Sequence, residues 1–295
     1  AFTYLQRCLL NLAHHPNIGA VIFISLGCEV MQIGGCLEQT GSQPRNLERN
    51  LSTLAPILSI QELGGIEATR RAGLRAVEGM LPAVNASRRS PQPLSGLKIA
   101  LQCGGSDGWS GVTANPLLGQ AVDELVAQGG TAVLAETPEI YGAEQLLLSR
   151  VKSESAARKL IHQVRWWEAQ AKLLGFSLDN NPTPGNKTGG LTTIYEKSLG
   201  AVSKGGSSPL VEVVDYAERI SSPGLVFMDS PGNDPVSITG QLAGGCNLIA
   251  FTTGRGSVYG SSLAPAVKIA SNSALFTRMR EDMDFNAGAL LEGQS

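Results

Sequence analysis

Six short, nearly continuous apolar runs constrain the fold of this chain more than any other feature. In the segments between these runs, apolar residues recur at the spacing of an α-helix. A strand whose apolar residues do not alternate with polar ones is buried on both faces, which is typical of parallel strands covered by helices. The runs lie at residues 20–26, 56–61, 97–102, 131–136, 225–228 and 248–252. We therefore predict an α/β fold of two Rossmann-like, three-layer units with mainly parallel sheets.

The segment at residues 88–95 divides the chain. It contains Arg88, Arg89, Pro91 and Pro93 and shows neither helical nor strand periodicity, as is typical of a linker. We predict a truncated α/β domain at 1–87, the linker at 88–95, and a larger α/β domain at 96–295. In the larger domain we expect a helix capped by Asn115 and a long amphipathic helix at 151–174.

Charge and composition exclude several classes of protein. The 295 residues contain 23 Lys and Arg against 25 Asp and Glu, a net charge of −2 without a run of five like charges. This disfavours a nucleic-acid or membrane-surface partner. The longest apolar run, residues 19–27, is shorter than the roughly 20 residues of a membrane helix, and we expect a cytoplasmic protein. The five cysteines form no CxxC pair, so reduced thiols are expected.

Polar or ionisable residues combined with glycine or proline follow five of the strand-like runs. These corners are residues 27–29, 102–107, 136–139, 229–234 and 252–257. Ligands of open parallel sheets bind outside the carboxyl ends of the strands. Ordinary surface turns favour the same residue types, but five such corners at strand ends favour a shared site.

Other site chemistries have weaker support. The residues Gly104 to Gly108 match the G-x-S-x-G pattern of a serine hydrolase built on Ser106. That enzyme needs a histidine, and His162, inside the long helix, is the only one downstream. The spacing around Lys187 does not fit a phosphate-binding loop. Cys28 and Cys103 follow strands and are either metal ligands or small buried residues.

At these corners the chain resembles the altronate/galactarate dehydratase family, sugar-acid hydro-lyases whose large domains are shared with a sulfolactate sulfo-lyase. The matching stretches run in order along nearly the whole chain. They are residues 26–29, 102–116, 136–144, 181–190, 196–200, 251–257 and 282–284.

The resemblance implies that water is removed from a 2,3-dihydroxy sugar acid of the altronate or galactarate type, giving a 2-keto-3-deoxy acid. It also implies a divalent metal ion, Fe2+ or Mn2+, and a homodimer. The alternatives are a sulfolactate sulfo-lyase, the hydrolase built on Ser106, and a sugar-acid-binding module without catalytic activity. Members of the family usually carry an N-terminal domain and a His-x-x-Gly-Cys segment that would precede Ala1, so we expect this chain alone to fold but to have weak activity.

The resemblance and the corner positions together predict the site residues. A proton removed next to a carboxylate leaves an enediolate, which needs nearby cations and backbone donors, and hard oxygen ligands suit a divalent ion. We predict catalytic roles for Lys187, Glu136 and Asp107, substrate binding by Gly104, Gly105, Ser106, Asn186 and Arg255, and metal binding by Glu29, Asp107 and Glu139.

Overall fold

The computed structural model of the protein describes residues 2–40 and 55–293. It divides the chain into two compact units, Ala1–Gln92 and Pro93–Ser295. The division lies inside the segment that was predicted to be a linker. No helix among the described residues is long and apolar enough to cross a membrane.

The first unit contains a small parallel sheet with helices. Its two strands pair with Phe23 opposite Ile57 and Ser25 opposite Ser59, so the predicted runs at 20–26 and 56–61 form strands only at their centres. Helices and strands of the unit follow in the order α1 (Phe2–Ala13), β1 (Phe23–Ser25), α2 (Ile33–Thr40), β2 (Ile57–Ser59) and α3 (Ile66–Asn85).

The second unit is built on a seven-stranded sheet in which every strand pair is parallel. The prediction of an α/β fold with mainly parallel sheets is therefore confirmed. In chain order the strands are β3 (Lys98–Cys103), β4 (Thr131–Ala135), β5 (Leu210–Val214), β6 (Gly224–Met228), β7 (Leu248–Thr253), β8 (Ala266–Ala270) and β9 (Phe285–Asn286). Side by side they lie in the order β5-β6-β4-β3-β7-β8-β9.

Helices connect these strands. They are α4 (Ala114–Ala127), α5 (Gln145–Leu148), α6 (Glu154–Leu173), α7 (Pro184–Thr188), α8 (Ile194–Ser203), α9 (Asp234–Ala243) and α10 (Ser273–Arg278). The predicted capping role of Asn115 is wrong, because α4 begins at Ala114 and Thr113 precedes it. The buried Asn115 amide instead donates to the Gly200 carbonyl at 2.9 Å and accepts from the Thr252 hydroxyl at 2.6 Å, so it ties α4 to α8 and to the sheet.

The continuous apolar runs identified the centre of the sheet and missed its margins. Strands β4 and β6 are buried along their whole length, as uninterrupted apolar runs indicate. Three strands outside the six predicted runs, β5, β8 and β9, also belong to the sheet. Glu212 interrupts β5 and Lys268 interrupts β8, because strands near an edge leave side chains exposed to water.

The strand order determines where a ligand site can form. From the central strand β3 the chain moves to β4, β5 and β6 on one side, and then crosses to β7, β8 and β9 on the other. Such a reversal leaves a crevice at the carboxyl ends of the neighbouring strands, here β3 and β7. Polar residues that follow these strands are thereby placed around one crevice.

We predict that Gly119→Ala lowers the free energy of unfolding of the second unit by about 1–3 kcal/mol, because overpacking forces neighbouring backbone apart. A methyl group at Gly119 would lie 2.2 Å from the carbonyl oxygen of Ser203, at the contact between α4 and α8. Gly96→Ala is the control, since a methyl group there meets nothing within 4 Å. Equal stability of the two variants in urea unfolding would contradict the close helix packing.

Candidate active site

A cleft of about 640 Å³ opens at the carboxyl edge of the large sheet. Residues that follow β3, β4, β6 and β7 line it, and α6, α8 and the segment between them complete its wall. The four predicted corners of the second unit therefore meet at one place. The structure assigns the fifth corner, residues 27–29, to the first unit.

The turn after β4 brings two glutamates to the cleft. Glu136 has a left-handed backbone conformation, with φ of 71°, which costs a non-glycine residue about 1–3 kcal/mol. The surrounding structure holds it there, because the Glu136 N–H donates to the Ser230 hydroxyl at 3.0 Å. A 3-10 turn at Thr137–Glu139 follows, and both glutamate side chains are buried.

Glu139 is the centre of a buried ionic cluster. Its carboxylate accepts a short hydrogen bond from Lys197 Nζ and a second from Asn181 Nδ2 at 3.1 Å. The thiol of Cys103 donates to its other oxygen at 3.5 Å. Behind that thiol, Lys204 Nζ donates to Cys103 Sγ at 2.9 Å. Lys204 is 1% exposed, so its ammonium group is almost completely shielded from water.

The cluster moves the pKa values of its two glutamates in opposite directions. Burial, and then the charge of Glu139, raise the pKa of Glu136 well above its usual range. Burial alone would raise the pKa of Glu139 as well, but the positive charges of Lys197 and Lys204 outweigh it and lower the pKa. Two carboxyls whose environments separate them in this way are suited to different roles, one as an acid and one as a permanent anion.

The remaining groups of the cluster keep definite charge states. Burial raises the pKa of Cys103 to about 11, so it is a thiol at neutral pH. For Lys197 and Lys204, burial acts to lower the pKa, but neighbouring groups including Glu139 raise it overall. Both side chains are therefore ammonium ions.

Asp234, at the start of α9, adds a further carboxylate to the cleft. Gln102 Nε2 donates to its Oδ1 at 2.8 Å, while burial raises its pKa. Asp234 packs directly on the backbone of Gly104, where a methyl group would lie 2.3 Å from Oδ2. Only glycine fits at position 104 without moving this carboxylate.

Comparison with known proteins assigns the chain to a family. Residues 94–295 match the family described as D-galactarate/altronate dehydratase, C-terminal, and residues 1–85 match D-galactarate dehydratase/altronate hydrolase, second domain. The chain belongs to the galactarate/altronate dehydratase family. The resemblance inferred from the sequence motifs is confirmed.

Several relatives in this family carry named activities. The chain is 41% identical to altronate dehydratase of Escherichia coli (strain K12) over 98% of its own length and 56% of the relative. It is 36% identical to galactarate dehydratase (L-threo-forming) of the same organism, over 98% and 55%. It is 31% identical to the (2R)-sulfolactate sulfo-lyase subunit beta of Chromohalobacter salexigens, over 97% and 71%. The chain thus spans a little over half the length of the two dehydratases.

Six of the residues predicted for this family site line the cleft, namely Gly104, Gly105, Glu136, Glu139, Asn186 and Arg255. The Gly104 N–H already donates to the Thr252 carbonyl at 3.2 Å, so it is not available to a substrate carboxylate. Asn186 holds the wall together, since its Nδ2 donates to the Ser106 carbonyl at 2.8 Å. The exposed Arg255 side chain faces the cleft.

The other predicted site residues are not among those that line the cleft. Asp107 is buried and binds its own chain, and the Ser106 hydroxyl is buried without a hydrogen-bond partner among the described residues. Lys187 is exposed on α7. Glu29 belongs to the first unit. Its pKa lies below its usual range because its carboxylate accepts backbone hydrogen bonds from Glu29 itself, Gly27 and Leu26.

Sequence reasoning missed the two lysines of the buried ionic cluster. Lys197 lies in α8 and Lys204 directly follows its last residue. Because they are seven residues apart, they lie on the same side of the helix, which also carries Ala201. Both are buried. A lysine on the apolar face of a helix is unusual, and that pattern was the available signal.

The described residues do not fit the divalent metal ion that the family resemblance implies. Among them there is no group of three or more His, Cys, Asp or Glu side chains that could hold an ion. Both oxygens of Glu139 already accept hydrogen bonds from within the cluster. The metal ion stays a prediction.

We predict that Asp107→Ala lowers the free energy of unfolding by about 2–4 kcal/mol, since a hydrogen bond to a charged group contributes about 1.5–3 kcal/mol. Asp107 accepts from the Ser110 N–H at 2.9 Å, the Ser271 hydroxyl at 2.7 Å and Asn272 Nδ2 at 2.9 Å. The exposed Asp179, replaced in the same way, is the control. A variant as stable as the parent in chemical unfolding would contradict this structural role.

Proposed function

We propose that this chain forms part of a hydro-lyase that removes water from a sugar acid with hydroxyl groups on C2 and C3, giving a 2-keto-3-deoxy acid. The observation that carries the proposal is Glu136, a buried carboxyl with a raised pKa that lines a cleft beside two ammonium groups. The two dehydratases among the relatives support it. The homodimer and the cytoplasmic location stay predictions.

Dehydration requires an acid and a base on one substrate. Removal of the C2 proton leaves an enediolate, the C3–O bond then breaks as the leaving hydroxyl takes up a proton, and the resulting enol becomes the ketone. Burial and the charge of Glu139 raise the pKa of Glu136 and so favour its protonated form, which suits Glu136 as the proton donor to the leaving hydroxyl. Asp234 lines the same cleft and is the proton acceptor.

Positive charge in the cleft stabilises the anionic intermediate. The guanidinium of Arg255 holds the substrate carboxylate through two parallel hydrogen bonds. Lys197 lines the cleft as well, and the low pKa of Glu139 keeps that ion pair charged throughout the reaction. A fixed ammonium near the developing enediolate lowers the barrier because it does not have to reorganise.

The alternatives have less support. Identity to the sulfo-lyase subunit, 31%, is lower than the 41% identity to altronate dehydratase. For a serine hydrolase, the Ser106 hydroxyl is buried outside the cleft lining, and no histidine lies among the described lining residues.

We predict that the complete natural protein forms keto acid from a hexonate or hexarate and that Glu136→Gln lowers kcat at least about 100-fold, a usual share for an acid catalyst. Activity of the parent should fall as pH rises through the Glu136 pKa. Formation of keto acid is measured across hexonates and hexarates, and Glu124→Gln, exposed on α4, is the control.

The free energy of unfolding of Glu136→Gln distinguishes a catalytic role of Glu136 from a structural one. A carboxyl whose pKa is raised by folding stabilises the fold fully below its usual value near 4.5, and this stabilisation is lost as pH rises through the folded value. Gln has no proton to lose, so Glu136→Gln should be at least as stable as the parent at neutral pH. A variant that unfolds more easily yet keeps its kcat would contradict the proposal, as would the absence of keto acid from every substrate.

We predict that Arg255→Lys lowers kcat/KM at least about tenfold, because an ammonium cannot form the two-point contact of a guanidinium with a carboxylate. Steady-state kinetics measure the effect. Arg278→Lys, at an exposed position on α10, is the matched control. Unchanged kinetics in Arg255→Lys would remove Arg255 from the substrate site.

A further inference from the structure

One part of the cleft wall is unsuited to charged chemistry. Trp167, Ala171 and Leu174 lie four and three residues apart at the end of α6 and all face the cleft, as residues at this spacing share one helix face. Phe176 and Leu178 extend the same apolar wall. The acid, base and ammonium groups of the proposed reaction all belong to other elements, so this wall needs a different role.

Asp229 fixes the indole of Trp167 relative to the reacting groups. Trp167 Nε1–H donates to Asp229 Oδ1 at 2.8 Å, and the Thr137 hydroxyl donates to the same oxygen at 2.5 Å. Thr137 directly follows Glu136 in the chain. One carboxylate oxygen at the end of β6 therefore joins the indole to the turn that carries the proposed acid.

A second contact limits rotation of the ring. Trp166 packs edge-on against Trp167, with ring centroids 5.2 Å apart and planes at 88°. Perpendicular packing at this distance is favourable for aromatic pairs. The Trp167 ring is thus held on two sides and half-buried, while it still lines the cleft.

We propose that Trp167 is a specificity-determining residue whose indole packs against the C–H groups of the sugar-acid chain beyond the reacting C2 and C3. This inference rests on the proposed dehydratase function. The carbon chain of a polyhydroxy acid is apolar along its C–H groups, and an aromatic ring covers such a surface without competing for its hydroxyls. Asp229 is a positioning residue that sets the distance between this ring and Glu136.

The test compares two side-chain truncations on α6 in the complete natural protein. Trp167→Ala should raise KM for a six-carbon aldonate about tenfold and leave kcat within about threefold, since the lost contact does not involve the reacting atoms. Leu173→Ala is the control, because Leu173 is exposed on the same helix and is absent from the cleft lining. Trp167→Phe keeps a flat ring and should restore much of the affinity.

Chain length distinguishes a substrate contact from a fold defect. A four-carbon aldonate has little chain beyond C3, so Trp167→Ala should change its KM, or its Ki as a competitive inhibitor, by less than about twofold. Trp167→Leu retains apolar bulk for folding and should show the same dependence on chain length. Equal losses for four-carbon and six-carbon acids, or a fall in kcat with unchanged KM, would overturn the proposal.

Failure of the proposed function gives a different result. If the parent protein releases keto acid from none of the sugar acids, the dehydratase assignment fails. If the parent is active and Trp167→Ala and Leu173→Ala have the same kinetics, only the role of Trp167 fails.

Discussion

The buried pair of Glu139 and Lys197 is the interaction on which the candidate site depends. Both side chains are less than a tenth exposed, and removing one partner of such a pair commonly costs about 3–5 kcal/mol, because the other charge is left without water or a counterion. The carboxylates of Glu139 and Asp234 face the ammonium groups of Lys197 and Lys204. The exposed guanidinium of Arg255 is available in the same cleft to an organic anion.

The backbone allows these charges to meet because glycine stands at the closest approaches. Asp234 packs on Gly104, and a methyl group at Gly254 would lie 2.1 Å from Cγ of Asp107. In each contact, a residue that follows β3 packs against a residue that follows another strand, β6 for Asp234 and β7 for Gly254. Glycine at these corners therefore permits close packing of carboxylates, which explains why the corners are rich in it without each glycine binding a ligand.

The sequence predicted the centre of the sheet and the place of the site better than the roles of its residues. Continuous apolar runs identify β4 and β6 because both of their faces are buried, and parallel pairing then brings Glu136 and Arg255 to one edge. The role of Asp107 depends on Ser271 and Asn272, which lie 164 and 165 residues further along the chain. No local pattern distinguishes an aspartate that faces a ligand from one that binds distant parts of its own chain.

Backbone conformation gives independent support for the importance of Glu136. In the described part of the chain, positive φ occurs at glycines and at only two other residues, Glu136 and Ala217. Glycine would adopt the conformation at position 136 without strain, and it would also remove a buried carboxyl that is costly to ionise. Two separate costs, one of backbone and one of burial, thus fall on the same residue. A glycine at position 136 would form the same turn without either cost, so the contribution of Glu136 is its side chain. That side chain lies in the cleft beside the ammonium groups, where the proposed reaction requires a proton donor.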